Sequence, residues 1–146
     1  MLLIRLWHID LIKNGLLPDS QLISQWRELN SIFKNQPKHI LINYVYQCPK
    51  EDLYFYTCMV VQEMDLRGYK VKSLDNFYNY FSKGLEFSYD KDKPFHPFKE
   101  YHNDRYLIQC YWNLAEKFDR GQQDFSQKQY EKLKKFVKEK INGTSY

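Results

Sequence analysis

Residues 19–33 read DSQLISQWRELNSIF, and within them Leu22, Trp26, Leu29 and Phe33 recur at spacings of four, three and four. That interval matches the turn of an α-helix and draws one narrow apolar stripe along it. Pro18 precedes the segment, and Asp19 or Ser20 is the expected N-cap, because a short side-chain oxygen satisfies an amide that the first turn leaves open. Glu28 falls well off the stripe, with Gln21, Ser24 and Ser31 on its side and Arg27 at the other edge. A charged pair on a helix flank is usually a solvated face and nothing more. The alternative is a carboxylate set in a patch of small polar side chains, with room for a ligand.

Working outward, further segments carry helical signals. Pro49 opens a second long helix, with Glu51 and Asp52 near its positive end. Leu53, Thr57, Val60, Val61 and Met64 form its expected buried face, and Arg67–Gly68 ends it. SLDNFYNYF, residues 73–81, is a short element with Ser73 as its cap. A third long helix lies within EYHNDRYLIQCYWNLAEKFDRG, residues 100–121, capped by Asn103 and stopped before Gly121. Phe125, Ser126, Gln129 and Tyr130 combine a capping box with a hydrophobic staple and open a last helix. Residues 39–46, HILINYVY, fit either a strand or a buried helical turn. The segment at 82–99, with two prolines and a glycine, reads as a long loop. The expected architecture is all-α: a compact single-domain bundle of three to five helices spanning 1–146, with that loop near residues 82–99.

The chain of 146 residues is long enough for one core. Aromatic residues make up 18% of it, enough both to fill a core and to leave faces on which bases stack. No apolar run approaches the ~18 residues of a membrane span, and the opening MLLIRLWHIDLI carries Arg5, His8 and Asp10, so it reads as part of the fold. Three cysteines without CxxC spacing fit reduced, mostly buried thiols in a cytoplasmic protein. The formal charge of +4 is uneven. Residues 126–146 hold six lysines against two glutamates, whereas residues 1–125 balance at 16 basic and 16 acidic. A neutral helical body with a lysine-rich C-terminal helix suits a phosphate-backbone partner, although ordinary solvation explains such a helix as well.

GxxxxGK[ST], GxGxxG and HExxH are all absent. The four histidines match no metal-ligand spacing, so no metal or cofactor is expected. His8 and Asp10 would face one side of an extended segment, orienting an imidazole or merely satisfying it.

The ordered set Arg27, Glu28, Leu29, Phe33, Lys38 and His39 resembles the pyrimidine-dimer DNA glycosylase family, whose phage members are small α-helical glycosylases and abasic-site lyases. The turn Arg67, Gly68 and Tyr69 is a second match. RLWHIDLI and the segment at 100–121 are similar to an uncharacterised bacterial branch of that family, over roughly residues 4–121. The resemblance implies that Glu28 is the catalytic carboxylate and that Arg27 and Arg5 grip DNA, with Gln21, Lys38, His39 and His8 as further DNA contacts. It implies damaged duplex DNA as partner and a monomer. A fixed carboxylate suits such chemistry, because breaking an N-glycosidic bond builds positive charge at C1′.

Two departures bear on the lyase step. The phage enzymes take their amine from the residue directly before the N-terminal arginine. Here that slot is Ile4, preceded by Met1, Leu2 and Leu3, and Leu2 disfavours removal of an initiator Met. Gln21 stands where they carry a histidine. Lys13 and Lys38 are other amines, and a water activated by Glu28 would give a purely hydrolytic glycosylase. The expected function is thus a DNA-repair glycosylase, with or without abasic-site lyase activity. The alternative is an inactive nucleic-acid-binding protein on the same scaffold.

Overall fold

The computed structural model describes residues 5–72, 74–81 and 96–142. Seven helices lie among them: α1 (Ile9–Lys13), α2 (Asp19–Asn35), α3 (Tyr44–Gln47), α4 (Lys50–Leu66), α5 (Asp75–Phe81), α6 (Asp104–Asp119) and α7 (Gln127–Lys140). No strand occurs among the described residues. The all-α expectation holds, with more helices than the expected three to five because α1, α3 and α5 are short. HILINYVY resolves as a turn followed by α3, so the strand option falls. Ser73 and most of the 82–99 loop lie outside the described residues.

The core forms where α2 and α4 cross and where α5 and α1 close against them, while α7 packs on α6. The α2 stripe is buried as its spacing requires: Leu22, Trp26, Leu29 and Phe33 all face inward, and Ile32 and Gln25 join them. On α4, Leu53, Thr57, Val60 and Met64 are buried and Val61 half-buried, with Tyr56 fully enclosed. The α7 start has both halves of its capping box, and the Phe125 and Tyr130 rings meet at 5.9 Å as a staple. Asn103 caps α6 by accepting from the Tyr106 N–H at 3.0 Å. The α2 start differs from expectation. Pro18 occupies its N-cap with no side-chain hydrogen bond, and the Asp19 carboxylate is engaged elsewhere.

That engagement fixes α2 against α4. Arg67 follows the last turn of α4, and Gly68 takes φ +83° so that the chain can reverse. The Arg67 guanidinium donates to Glu63 Oε1 (2.9 Å), the Leu17 carbonyl (2.7 Å) and Asp19 Oδ1 (2.8 Å), and the Tyr69 hydroxyl donates to Asp19 Oδ2 (2.7 Å). The Arg-Gly-aromatic turn is therefore the clamp on the start of α2. Gly15 serves the same corner: at φ +65°, a Cβ there would stand 3.1 Å from Glu63 Oε1.

Arg67→Ala orphans the half-buried Glu63 and should cost about 2–4 kcal/mol in urea unfolding. Arg120→Ala, which breaks the solvated Arg120–Glu116 pair of the same i,i+4 spacing, should stay within about 0.5 kcal/mol. Equal losses would refute the clamp.

Candidate active site

Gln21, Gln25 and Glu28 stand at intervals of four and three, so they share one face of α2. That face meets the extended backbone of residues 5–8. Gln25, fully buried, donates from Nε2 to the Arg5 carbonyl (3.0 Å) and accepts at Oε1 from the Trp7 N–H (2.7 Å). The Tyr56 hydroxyl from α4 lies 3.0 Å from the same Oε1 and donates to the Trp7 carbonyl at 2.6 Å. Gln25 also donates to Glu28 Oε2 at 3.2 Å, and the Arg5 backbone N–H reaches that oxygen at 3.3 Å. Among the described residues no buried side-chain polar atom lacks a partner.

Glu28 is half-buried, and burial pushes its carboxyl up to about 7. The hydrogen bonds from Arg5 and Gln25, and the Arg5 charge, pull the other way without cancelling that effect. Near neutral pH this carboxyl is thus poised between its two forms, unlike an ordinary surface glutamate.

Arg5 meets Glu28 chiefly through its backbone. Its guanidinium turns toward α6, 3.9 Å from Cys110 Sγ and about 6 Å from the Trp7 and Tyr106 ring centroids (5.8 and 5.9 Å). Arg27 is exposed beside Glu28. Gln21 pairs with Gln122 at 2.8 and 3.1 Å, which ties α2 to the turn before α7. Lys38 lies over the Tyr46 ring at 4.2 Å, and His39 folds its own turn by accepting from the Leu41 N–H. No hydrogen bond or ion pair joins Lys13 or Lys38 to Glu28 among the described residues.

His8 meets Asp10 at the start of a helix and not along an extended strand: it is the buried N-cap of α1, accepting from the Asp10 N–H at 3.1 Å, with the Asp10 carboxylate 3.8 Å from the same Nδ1. Burial lowers its pKa, and the Asp10 charge opposes that without cancelling it. Its ring packs beside His102, which accepts from the Ile9 N–H at Nδ1 (3.0 Å) and therefore carries its proton on Nε2, 2.8 Å from the Tyr44 hydroxyl. Burial holds His102 well below the usual histidine range, so the pair sits as a neutral scaffold under residues 8 and 9. Of the cysteines, Cys110 is buried while Cys48 and Cys58 are only half-buried. All six lysines of α7 are exposed.

The residues missing from the sequence reading are Gln25 and Tyr56, while His102, there only a histidine without metal-ligand spacing, is a hydrogen-bonded support. A glutamine two helical turns along a polar face gave no hint that it would be enclosed. The i, i+4, i+7 interval of Gln21, Gln25 and Glu28 was the one available signal.

A family model described as pyrimidine dimer DNA glycosylase matches residues 4–77, a span that contains Arg5, Gln25, Glu28, Tyr56 and the Arg67 turn. No curated protein and no solved structure matches the chain. No described helix is long and apolar enough to cross a membrane.

Gln25→Leu keeps the volume but leaves the Trp7 N–H and Arg5 carbonyl unpaired. It should lower unfolding free energy by roughly 2–4 kcal/mol and speed amide exchange at Trp7. Unchanged exchange at Trp7 would show that Gln25 is not what pins residues 5–7.

Proposed function

The chain belongs to the pyrimidine dimer DNA glycosylase family, and from that premise we propose that it excises damaged bases such as pyrimidine dimers from duplex DNA, with Glu28 as the catalytic carboxylate. The observation that carries the assignment is the half-buried Glu28 carboxyl, held by the Arg5 backbone N–H and by Gln25 and raised to about 7. Breaking the bond between the base and C1′ leaves the electron pair on the base and positive charge on the sugar. A carboxylate fixed in a partly dehydrated site stabilises that charge far better than one in water. Exposed Arg27, directly before Glu28, would meet a flanking phosphate.

The leaving base is replaced at C1′ by a nucleophile. If water attacks, Glu28 takes its proton and an intact strand with an abasic site results. If an amine attacks, ring opening gives a Schiff base. Loss of the C2′ proton then expels the 3′ phosphate and the strand breaks. The Arg5 N–H bonds Glu28 at 3.3 Å, and neither Lys13 nor Lys38 is joined to that carboxylate among the described residues, so the amine route and the water route are separated by experiment.

The test is a duplex with one thymine dimer. Excision should occur, and Glu28→Gln should lower its single-turnover rate at least about 100-fold while binding changes little. The acid limb of kcat/KM should centre near 7, because Glu28 is neutral and inactive below it. A covalent adduct with abasic DNA on borohydride treatment marks the amine route, and excision without adduct or strand break marks the water route. Full activity in Glu28→Gln would refute the assignment.

A further inference from the structure

Ile40 is 85% exposed, the highest value among the exposed large apolar side chains of the described residues. It stands at the tip of the turn between α2 and α3, and this turn is not loose. The His39 N–H donates to Asn43 Oδ1 (2.8 Å), the Leu41 N–H donates to His39 Nδ1 (3.2 Å), and the Ile42 and Asn43 N–H groups both donate to the His39 carbonyl (2.9 Å each). Ile42, two positions on, is fully buried and anchors the turn in the core. The result is a β-branched side chain held out into solvent on a rigid mount. Such a residue has few rotamers to lose when something closes around it.

The surroundings say what that something is. Lys34 and Lys38 are exposed on the approach to the tip, and Lys38 is steadied over the Tyr46 ring, whose hydroxyl donates to the Pro37 carbonyl (2.7 Å). On the far side the turn runs into Tyr44, which bonds His102, and His102 in turn holds the backbone at Ile9. The turn is thereby tied to the same N-terminal segment that carries Arg5 to Glu28. An apolar tip with two exposed lysines on the segment that leads to it fits a stack of bases with a phosphate backbone alongside. An enzyme that works on a base in a duplex must open the stack, and apolar wedges fill the gap that opens.

We propose that Ile40 is a wedge that inserts at the base step beside the target site and holds it unstacked. This rests on the DNA reading of the site, but not on catalysis. The test is a duplex with 2-aminopurine next to a tetrahydrofuran abasic analogue, which the enzyme cannot process. Binding of the full chain should raise 2-aminopurine fluorescence. Ile40→Ala should cut that rise at least about fivefold, and Ile40→Leu should restore it. Thermal stability should be the same in all three, since the side chain buries almost nothing. On a lesion duplex, Ile40→Ala should slow excision about tenfold, with most of the loss recovered when the lesion sits in an already unstacked bulge.

An equal fluorescence rise in Ile40→Ala overturns the proposal, as does no rise with the unsubstituted protein. A rise that depends on Ile40 but comes with no excision of any dimer leaves the wedge standing and overturns the glycosylase reading instead.

Discussion

The Gln25 side chain holds the backbone of residues 5–7, the Tyr56 hydroxyl of α4 and the Glu28 carboxylate in one buried network. An extended segment has no partners of its own for its N–H and C=O groups, and burying them unpaired costs about 1–3 kcal/mol each. Gln25 and Tyr56 remove that cost for Arg5 and Trp7. The N-terminal segment can therefore run through the interior of a helical protein. Because it does, the Arg5 N–H arrives at Glu28 and closes one side of the carboxylate's surroundings. Half-burial, the raised pKa and the closeness of Arg5 all descend from that one arrangement.

Glu28 is held at a cost to the fold. A carboxyl whose folded pKa lies near 7 and whose unfolded pKa lies near 4.5 destabilises the native state as pH rises between those values. Perturbed carboxyls of this kind cluster at working sites, which supports the role proposed for Glu28. The rigid parts compensate. The Arg67 turn fixes the α2 start through Asp19, and the neutral His8–His102 pair supports the backbone just beyond the site. Helix α6 lies beyond the matched span of 4–77, yet it supplies Tyr106, whose hydroxyl donates to the Leu6 carbonyl, and Cys110 against Arg5.

Much of the scaffold was legible in the sequence because its signals are local. The α2 stripe, the α7 capping box and staple, the Asn103 cap and the Arg67–Gly68 stop each depend on residues within a turn or two of one another. The start of α2 misled because Asp19 serves a partner 48 residues away instead of its own amides. Arg5 and Glu28 could be paired only through family resemblance, since no local rule joins positions 23 apart. Gln25 was unreadable for a related reason. Its partners are backbone atoms from another segment, which have no side-chain signature, and enclosure of an amide depends on packing that periodicity does not report. The same holds for His8, whose role as a helix cap emerges only once α1 is known to begin at Ile9.

The most direct measurement is an NMR titration of the Glu28 side-chain carboxyl in selectively 13C-labelled protein. A midpoint near 7 is expected, with the resonance unchanged on replacing exposed Glu116. A midpoint near the ordinary 4.5 would contradict a desolvated, backbone-held carboxylate, and Glu28 would then be one more solvated charge on the flank of α2.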